Sequence, residues 1–162
     1  MTAPNTTVYF SLGSNLGNRQ AYLEAAINGL SQMGEVLALS PIYETEPWGD
    51  GTNGQPAYIN QVVALNTVIP ALELLDKVLS LEQSLGRQRQ TDFQYAPRTI
   101  DIDMLFYGQS ILDTPSLILP HPRLHLREFV LQPLNDIAPQ FIHPLYQKDM
   151  ASLLMDLQNE AA

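Results

Sequence analysis

The sequence predicts an α+β domain, an antiparallel sheet packed by helices, with a C-terminal extension. Three observations carry this expectation. Stretches with the period of a strand alternate with stretches of helical period, in the order strand, helix, strand, strand, helix, strand. Gly13, Gly34, Pro70, Gly86 and Gly108 punctuate those stretches. The chain has 162 residues and 45% apolar side chains, enough for one domain over 1–162 with a sizeable core. The order is that of the split βαβ, ferredoxin-like βαββαβ pattern.

The elements follow in turn. Residues 8–12 read as a first strand, ended by Gly13-Ser14-Asn15. Asn18 is placed to cap a helix over 19–33, where Tyr22, Leu23, Ala26, Ile27 and Leu30 share one face and Gly34 stops the run. Residues 36–43 read as a second strand and 58–67 as a third, with Tyr58, Asn60, Val62, Ala64 and Asn66 on one side. Pro70 opens a second helix whose expected inner face is Leu72, Leu75, Val78, Leu79, Glu82 and Leu85, with Gly86 as its C-terminal cap. The extension should hold a short hairpin over 110–119, a Pro-His-Pro turn, an amphipathic stretch over 127–137 and a helix over 150–157. Residues 1–6 and 159–162 are expected to be flexible. Two loops, 47–57 and 87–98, are long enough and polar enough to act as lids.

The chemistry is concentrated in one strand. Asp101 and Asp103 stand two apart in Ala96-Pro97-Arg98-Thr99-Ile100-Asp101-Ile102-Asp103-Met104, so a strand puts both carboxylates on one face and Ile100, Ile102 and Met104 on the other. Their Cα atoms would lie roughly 6.5 to 7 Å apart. Two like charges at that spacing suit a hard divalent cation such as Mg²⁺, or else form a solvated polar face. Five of the eight basic residues, Arg87, Arg89, Arg98, Arg123 and Arg127, fall near this pair in a chain of net charge -9. Guanidinium forks bind phosphate oxygens bidentately, so the cluster suits a polyphosphate, although each arginine alone reads as a surface charge. Glu82, among apolar helix positions, is either at the edge of the stripe or placed for a ligand. Trp48, Tyr58, Asn60 and Phe129 are of the types that hold flat heterocycles, though Tyr58 and Phe129 also read as core. His121, between two prolines, is open as a general base, a phosphate donor or a turn residue.

Composition excludes several classes. An acidic balance argues against a general nucleic-acid binder. With no cysteine there is neither a disulfide framework nor thiolate chemistry. No secretory signal and no membrane span are recognisable, and a cytoplasmic location is the expectation. P-loop, protein-kinase and HExxH patterns are missing from the sequence. An RNA-recognition module shares the element order, but the net charge of -9 and the lack of a basic aromatic motif on the central strands argue against it. A regulatory domain that binds nucleotide without turnover is a second alternative, against which the Asp pair stands.

Several segments together resemble the hydroxymethyl-dihydropterin pyrophosphokinase family: Leu12-Gly13-Ser14-Asn15-Leu16-Gly17, Tyr43-Glu44-Thr45-Glu46-Pro47, Tyr58-Ile59-Asn60, Glu82 with Gly86-Arg87-Gln88-Arg89, Pro97-Arg98-Thr99-Ile100-Asp101-Ile102-Asp103, and Pro120-His121-Pro122-Arg123 with Phe129. The resemblance implies transfer of the diphosphate of ATP to the hydroxymethyl group of 6-hydroxymethyl-7,8-dihydropterin, with release of AMP, in folate biosynthesis. It implies two Mg²⁺ ions on Asp101 and Asp103, and phosphate neutralisation by Arg87, Arg89 and Arg98 on a closing loop. It implies an ATP site of Glu82, Arg87, Arg89, Tyr95, Arg98, Met104, His121 and Arg127, and a pterin pocket of Thr45, Trp48, Tyr58, Asn60 and Phe129. The substrates would be these two small molecules, with no nucleic-acid or membrane partner, and the chain would act as a monomer. Gln90 stands where many members carry lysine, Tyr95-Ala96 where many carry Trp-Gly, and Ser116 where some carry arginine.

Overall fold

A computed structural model describes residues 5–45, 57–86 and 99–161. The element order is β1 (Thr6–Ser14), α1 (Arg19–Leu30), β2 (Glu35–Leu39), β3 (Tyr43–Thr45), β4 (Tyr58–Thr67), α2 (Ala71–Ser84), β5 (Asp101–Tyr107), β6 (Leu112–Asp113), β7 (Ile118–Leu119), α3 (Glu128–Ile137) and α4 (Met150–Ala161), with a 3-10 turn at Leu124–Leu126. The main sheet runs β2-β4-β1-β5, with β3 also paired to β4, and every pairing is antiparallel. β6 and β7 form a separate hairpin.

Period-two alternation sends each strand's side chains into two different cores. On one face, Val8, Phe10 and Leu12 of β1, Val63 and Leu65 of β4, and Ile102 and Met104 of β5 pack with Leu23, Ala26 and Leu30 of α1 and Leu74 and Val78 of α2. On the other, Tyr9, Val62, Ala64, Leu105 and Phe106 pack with Val130, Leu131 and Leu134 of α3 and Met150, Leu153 and Leu154 of α4. The C-terminal extension is therefore the third layer of an α/β/α sandwich. A bulge between Tyr9 and Phe10 in the β1–β5 pairing lets both Leu105 and Phe106 reach the second core.

Several expectations need correction. β1 does not end at Gly13 but runs through Ser14, because Gly13 and Ser14 keep their partners on β4. The second strand breaks in two: the buried Ser40 hydroxyl accepts from Val62 N at 2.9 Å in place of a backbone carbonyl, while the Ser40 N–H still donates to the Val62 carbonyl at 2.9 Å, and Ile42 beyond Pro41 is exposed. Regular α1 ends at Leu30, and a turn carries the chain to Gly34, where a Cβ would lie 2.2 Å from the Asn66 carbonyl oxygen. The inner face of α2 is Leu74, Val78 and Glu82, while Leu72 is exposed. Thr6 already belongs to β1, and the terminal stretch 159–161, expected to be flexible, is helical.

Candidate active site

Residues directly opposite one another on paired strands share a face. Asp101 is opposite Gly13, Gly13 is opposite Asn60, and Asn60 is opposite Tyr43, which makes one row across four strands. Asp103, Ser11 and Val62 form the next row, and Thr45 with Tyr58 lies beyond the first. Asp101, Asp103, Thr45, Tyr58 and Asn60 therefore stand on the same face, the one that α3 and α4 cover only towards Tyr9, Ala64 and Phe106. Two strand spacings separate Asp101 from Asn60, about 10 Å between Cα atoms.

The floor between them is bare backbone. A Cβ on Gly13 would meet Asn60 Oδ1 at 3.4 Å and Tyr58 Cδ1 at 3.6 Å. Asn60 is buried, and its amide nitrogen donates to Thr45 Oγ1 at 2.8 Å and to the Tyr43 carbonyl at 3.5 Å. Those bonds orient the amide so that Oδ1 looks towards Gly13. Arg19, at the start of α1, donates to the Ala57 carbonyl at 2.8 Å and lies 3.8 Å from the Glu44 carboxylate. It thus ties together the two strands, β3 and β4, that carry Thr45 and Tyr58.

On the other side of Asp101 lies the Pro-His-Pro turn. The His121 N–H donates to the Leu105 carbonyl at 2.9 Å, docking the turn on β5. Burial pushes the His121 pKa down to about 4, helped by the Arg127 and Arg123 charges and opposed by Asp101. His121 Nδ1 accepts from Arg123 N at 3.2 Å, so the neutral ring carries its proton on Nε2 and offers it as a donor. Of the three roles open to His121, a donor and a turn residue both fit this tautomer and a general base does not. The Arg127 guanidinium lies 5.8 Å from the centroid of the Phe129 ring, within cation–π range. Phe129 itself packs against the α3/α4 core.

Glu82 and Met104 sit elsewhere. Glu82 is fully buried and its Oε2 accepts from Ile102 N at 2.7 Å. The Met104 side chain belongs to the α1/α2 core, which leaves only its backbone near the candidate site. Trp48, Arg87, Arg89, Tyr95 and Arg98 lie outside the described residues. The sequence reading missed Gly13 and Arg19 as site-shaping residues. Gly13 looked like a strand terminator, and the partner of Arg19 is 38 positions away. A groove lined by Met33, Ile69, Glu73, Lys77 and Leu81 opens between α1 and α2, on the opposite side of the sheet from the carboxylates.

Among the described residues no three metal-ligating side chains converge. Two half-buried carboxylates on one face nonetheless suit Mg²⁺, which takes one or two protein carboxylates and fills its other positions with water and substrate phosphate.

Known proteins resemble the chain in sequence and in fold. The model for the family described as 7,8-dihydro-6-hydroxymethylpterin-pyrophosphokinase (HPPK) matches residues 9–139. The chain is 39% identical to the 2-amino-4-hydroxy-6-hydroxymethyldihydropteridine pyrophosphokinase of Aquifex aeolicus over 144 residues, which covers 89% of this chain and 88% of that one. It is 42% identical to the folic acid synthesis protein fol1 of Pneumocystis carinii over 149 residues, 91% of this chain but 20% of the fungal protein. The crystal structure of Plasmodium falciparum HPPK-DHPS with pteroate superposes with a TM-score of 0.75 at 15% identity, over 94% of this chain and 42% of that one. At that identity the likeness is one of fold.

Proposed function

The chain belongs to the 7,8-dihydro-6-hydroxymethylpterin-pyrophosphokinase family, and from that premise we propose how its own residues carry the family's reaction. The chain is an ATP-dependent diphosphotransferase. It transfers the diphosphate of ATP to the hydroxymethyl group of 6-hydroxymethyl-7,8-dihydropterin. The hydroxymethyl oxygen bonds to the β-phosphorus, the bond from that phosphorus to the α–β bridging oxygen breaks, AMP leaves, and the hydroxyl proton is released.

The observation that carries this proposal is the shared face, with Asp101 and Asp103 at one end of a row and Asn60, Thr45 and Tyr58 at the other, across the side-chain-free Gly13. The amide of Asn60 and the ring of Tyr58 suit the edge and face of a pterin, and Phe129 and Trp48 complete that pocket. Asp101 and Asp103 would hold two Mg²⁺ ions, which would screen the triphosphate charge and polarise its phosphoryl oxygens. His121 Nε2–H and Arg127 bind the nucleotide phosphates. Arg87, Arg89 and Arg98 neutralise further phosphate charge, Tyr95 and the Met104 backbone adjoin the nucleotide, and loops 47–57 and 87–98 close over the substrates to exclude water. Glu82 serves the nucleotide site through the Asp strand, accepting from its Ile102 N–H. The fold is read as a ferredoxin-like βαββαβ core, an assignment supported by the strand order β2-β4-β1-β5. The chain is taken as one catalytic unit over 1–162, monomeric and cytoplasmic; no helix among the described residues is long and apolar enough to cross a membrane.

The test is AMP release from ATP and Mg²⁺, with and without the hydroxymethyl pterin. Pterin-dependent AMP formation is expected. ADP formation, or no turnover, would overturn the assignment.

A further inference from the structure

Glu82 carries an acidic group into the wrong place for a surface charge. It lies on the inner stripe of α2 with no exposed surface, beside Val78. Burying a carboxylate is costly unless strong hydrogen bonds hold it. One such bond is explicit: Glu82 Oε2 accepts from the backbone N–H of Ile102 at 2.7 Å. Ile102 is the residue between Asp101 and Asp103, and β5 is an outer strand of the sheet, paired among the described residues to β1 alone. Alternate residues of such a strand turn their N–H groups away from the neighbouring strand. The Ile102 N–H does so, and α2 supplies its acceptor.

We propose that Glu82 is a positioning residue for the metal-binding strand. The planar Asp101–Ile102 peptide is rigid, so a bond to its nitrogen fixes the first of the two peptide planes that join the aspartates. That bond sets the angle at which Asp101 and Asp103 present their oxygens, from the core side of the strand and without contact to the metal. It also ties the strand to α2 four residues before Gly86, where the positive φ of 93° ends the helix and the chain enters 87–98. The inference rests on the assignment of Asp101 and Asp103 as metal ligands, and its test separates the two.

The measurements use the full chain and Glu82→Ala, Glu82→Gln and Glu82→Asp. Amide exchange and the ¹⁵N resonance of Ile102 are read without metal. Mn²⁺ binding in the presence of a non-hydrolysable ATP analogue is read by electron paramagnetic resonance, and pterin binding by calorimetry. In Glu82→Ala, Ile102 should lose its protection and Mn²⁺ affinity should fall about tenfold or more, as for other groups that orient metal ligands. Pterin affinity in that variant should stay within about twofold, well below the tenfold effect expected at the metal. Glu82→Gln keeps an acceptor and should restore both Ile102 protection and Mn²⁺ affinity. Glu82→Asp, one methylene short, should fold but bind Mn²⁺ more weakly. Unchanged Mn²⁺ affinity in a folded Glu82→Ala or Glu82→Asp would overturn the positioning role, as would lost affinity in Glu82→Gln with Ile102 still protected. Wild-type protein that binds no Mn²⁺ would instead remove the metal assignment itself.

Discussion

The two faces of β5 do different work. On one, Ile102 and Met104, with Ile100 just before the strand, are 4%, 5% and 0% exposed in a closed core against α1 and α2. On the other, Asp101 and Asp103 are half-buried on a face that α3 and α4 leave partly open. Neighbouring residues of one short strand thus serve stability and chemistry separately. Because the side-chain period is two, a substitution at one residue acts on one face only.

Four experiments would sharpen or break that division. The largest effect is expected for Asp103→Ala. Turnover should drop about 10³-fold, on the order of 4 kcal/mol of lost transition-state stabilisation, while the melting temperature stays near wild type. Near-normal activity would remove the aspartate from the chemistry. Ile102→Ala, one position away, should do the reverse: a loss of about 3 kcal/mol in unfolding free energy by denaturant titration, with the folded fraction still active. Equal damage to the rate per folded molecule would break the division of labour.

The third experiment concerns pH, at the covered end of the open face. Burial holds His121 and His143 neutral with pKa values down to about 4, and His143 packs edge-on against Phe106. The unfolded chain protonates both near pH 6.5, whereas the folded chain does not until about pH 4. The unfolded state therefore binds more protons in that window, and stability should fall as pH drops from about 6.5 towards 4. Denaturation midpoints at pH 7, 6 and 5 check the sign, and His143→Gln should flatten the slope; a flat wild-type profile would contradict it. The smallest effect is expected at Asn60. Asn60→Ala should weaken pterin binding by roughly 1 kcal/mol, about fivefold in KM, with ATP binding little changed. A matching change in the KM for ATP would mean that the row across Gly13 acts as a single site.

Much of this was legible before any coordinates. Period-two spacing placed Asp101 with Asp103 and Tyr58 with Asn60, because in a strand that spacing has only one geometric meaning. Asn18 caps α1 as expected, its side chain accepting from Ala21 N at 3.1 Å. The break at Ser40 was not legible, since it depends on a hydroxyl bonding a strand 22 positions away. On α2 the expected inner positions Val78 and Glu82 hold and Leu75 and Leu85 pack at the edge of the core, but Leu74 was missed and Leu72 is exposed, because with leucines at 72, 74, 75, 79, 81 and 85 several stripes are equally apolar.

By itself the sequence determined the strand and helix order, the pairing of two aspartates on one face, and the family to which these motifs belong, because each depends on residues close together along the chain. The tertiary structure alone decided which strands became neighbours. Antiparallel register brought Asp101 and Asn60 to either side of Gly13, and the packing of α2 on an outer strand turned Glu82 from an apparent defect in an apolar stripe into the acceptor for the Ile102 amide. Contacts of that kind join residues far apart in sequence, so no local pattern records them.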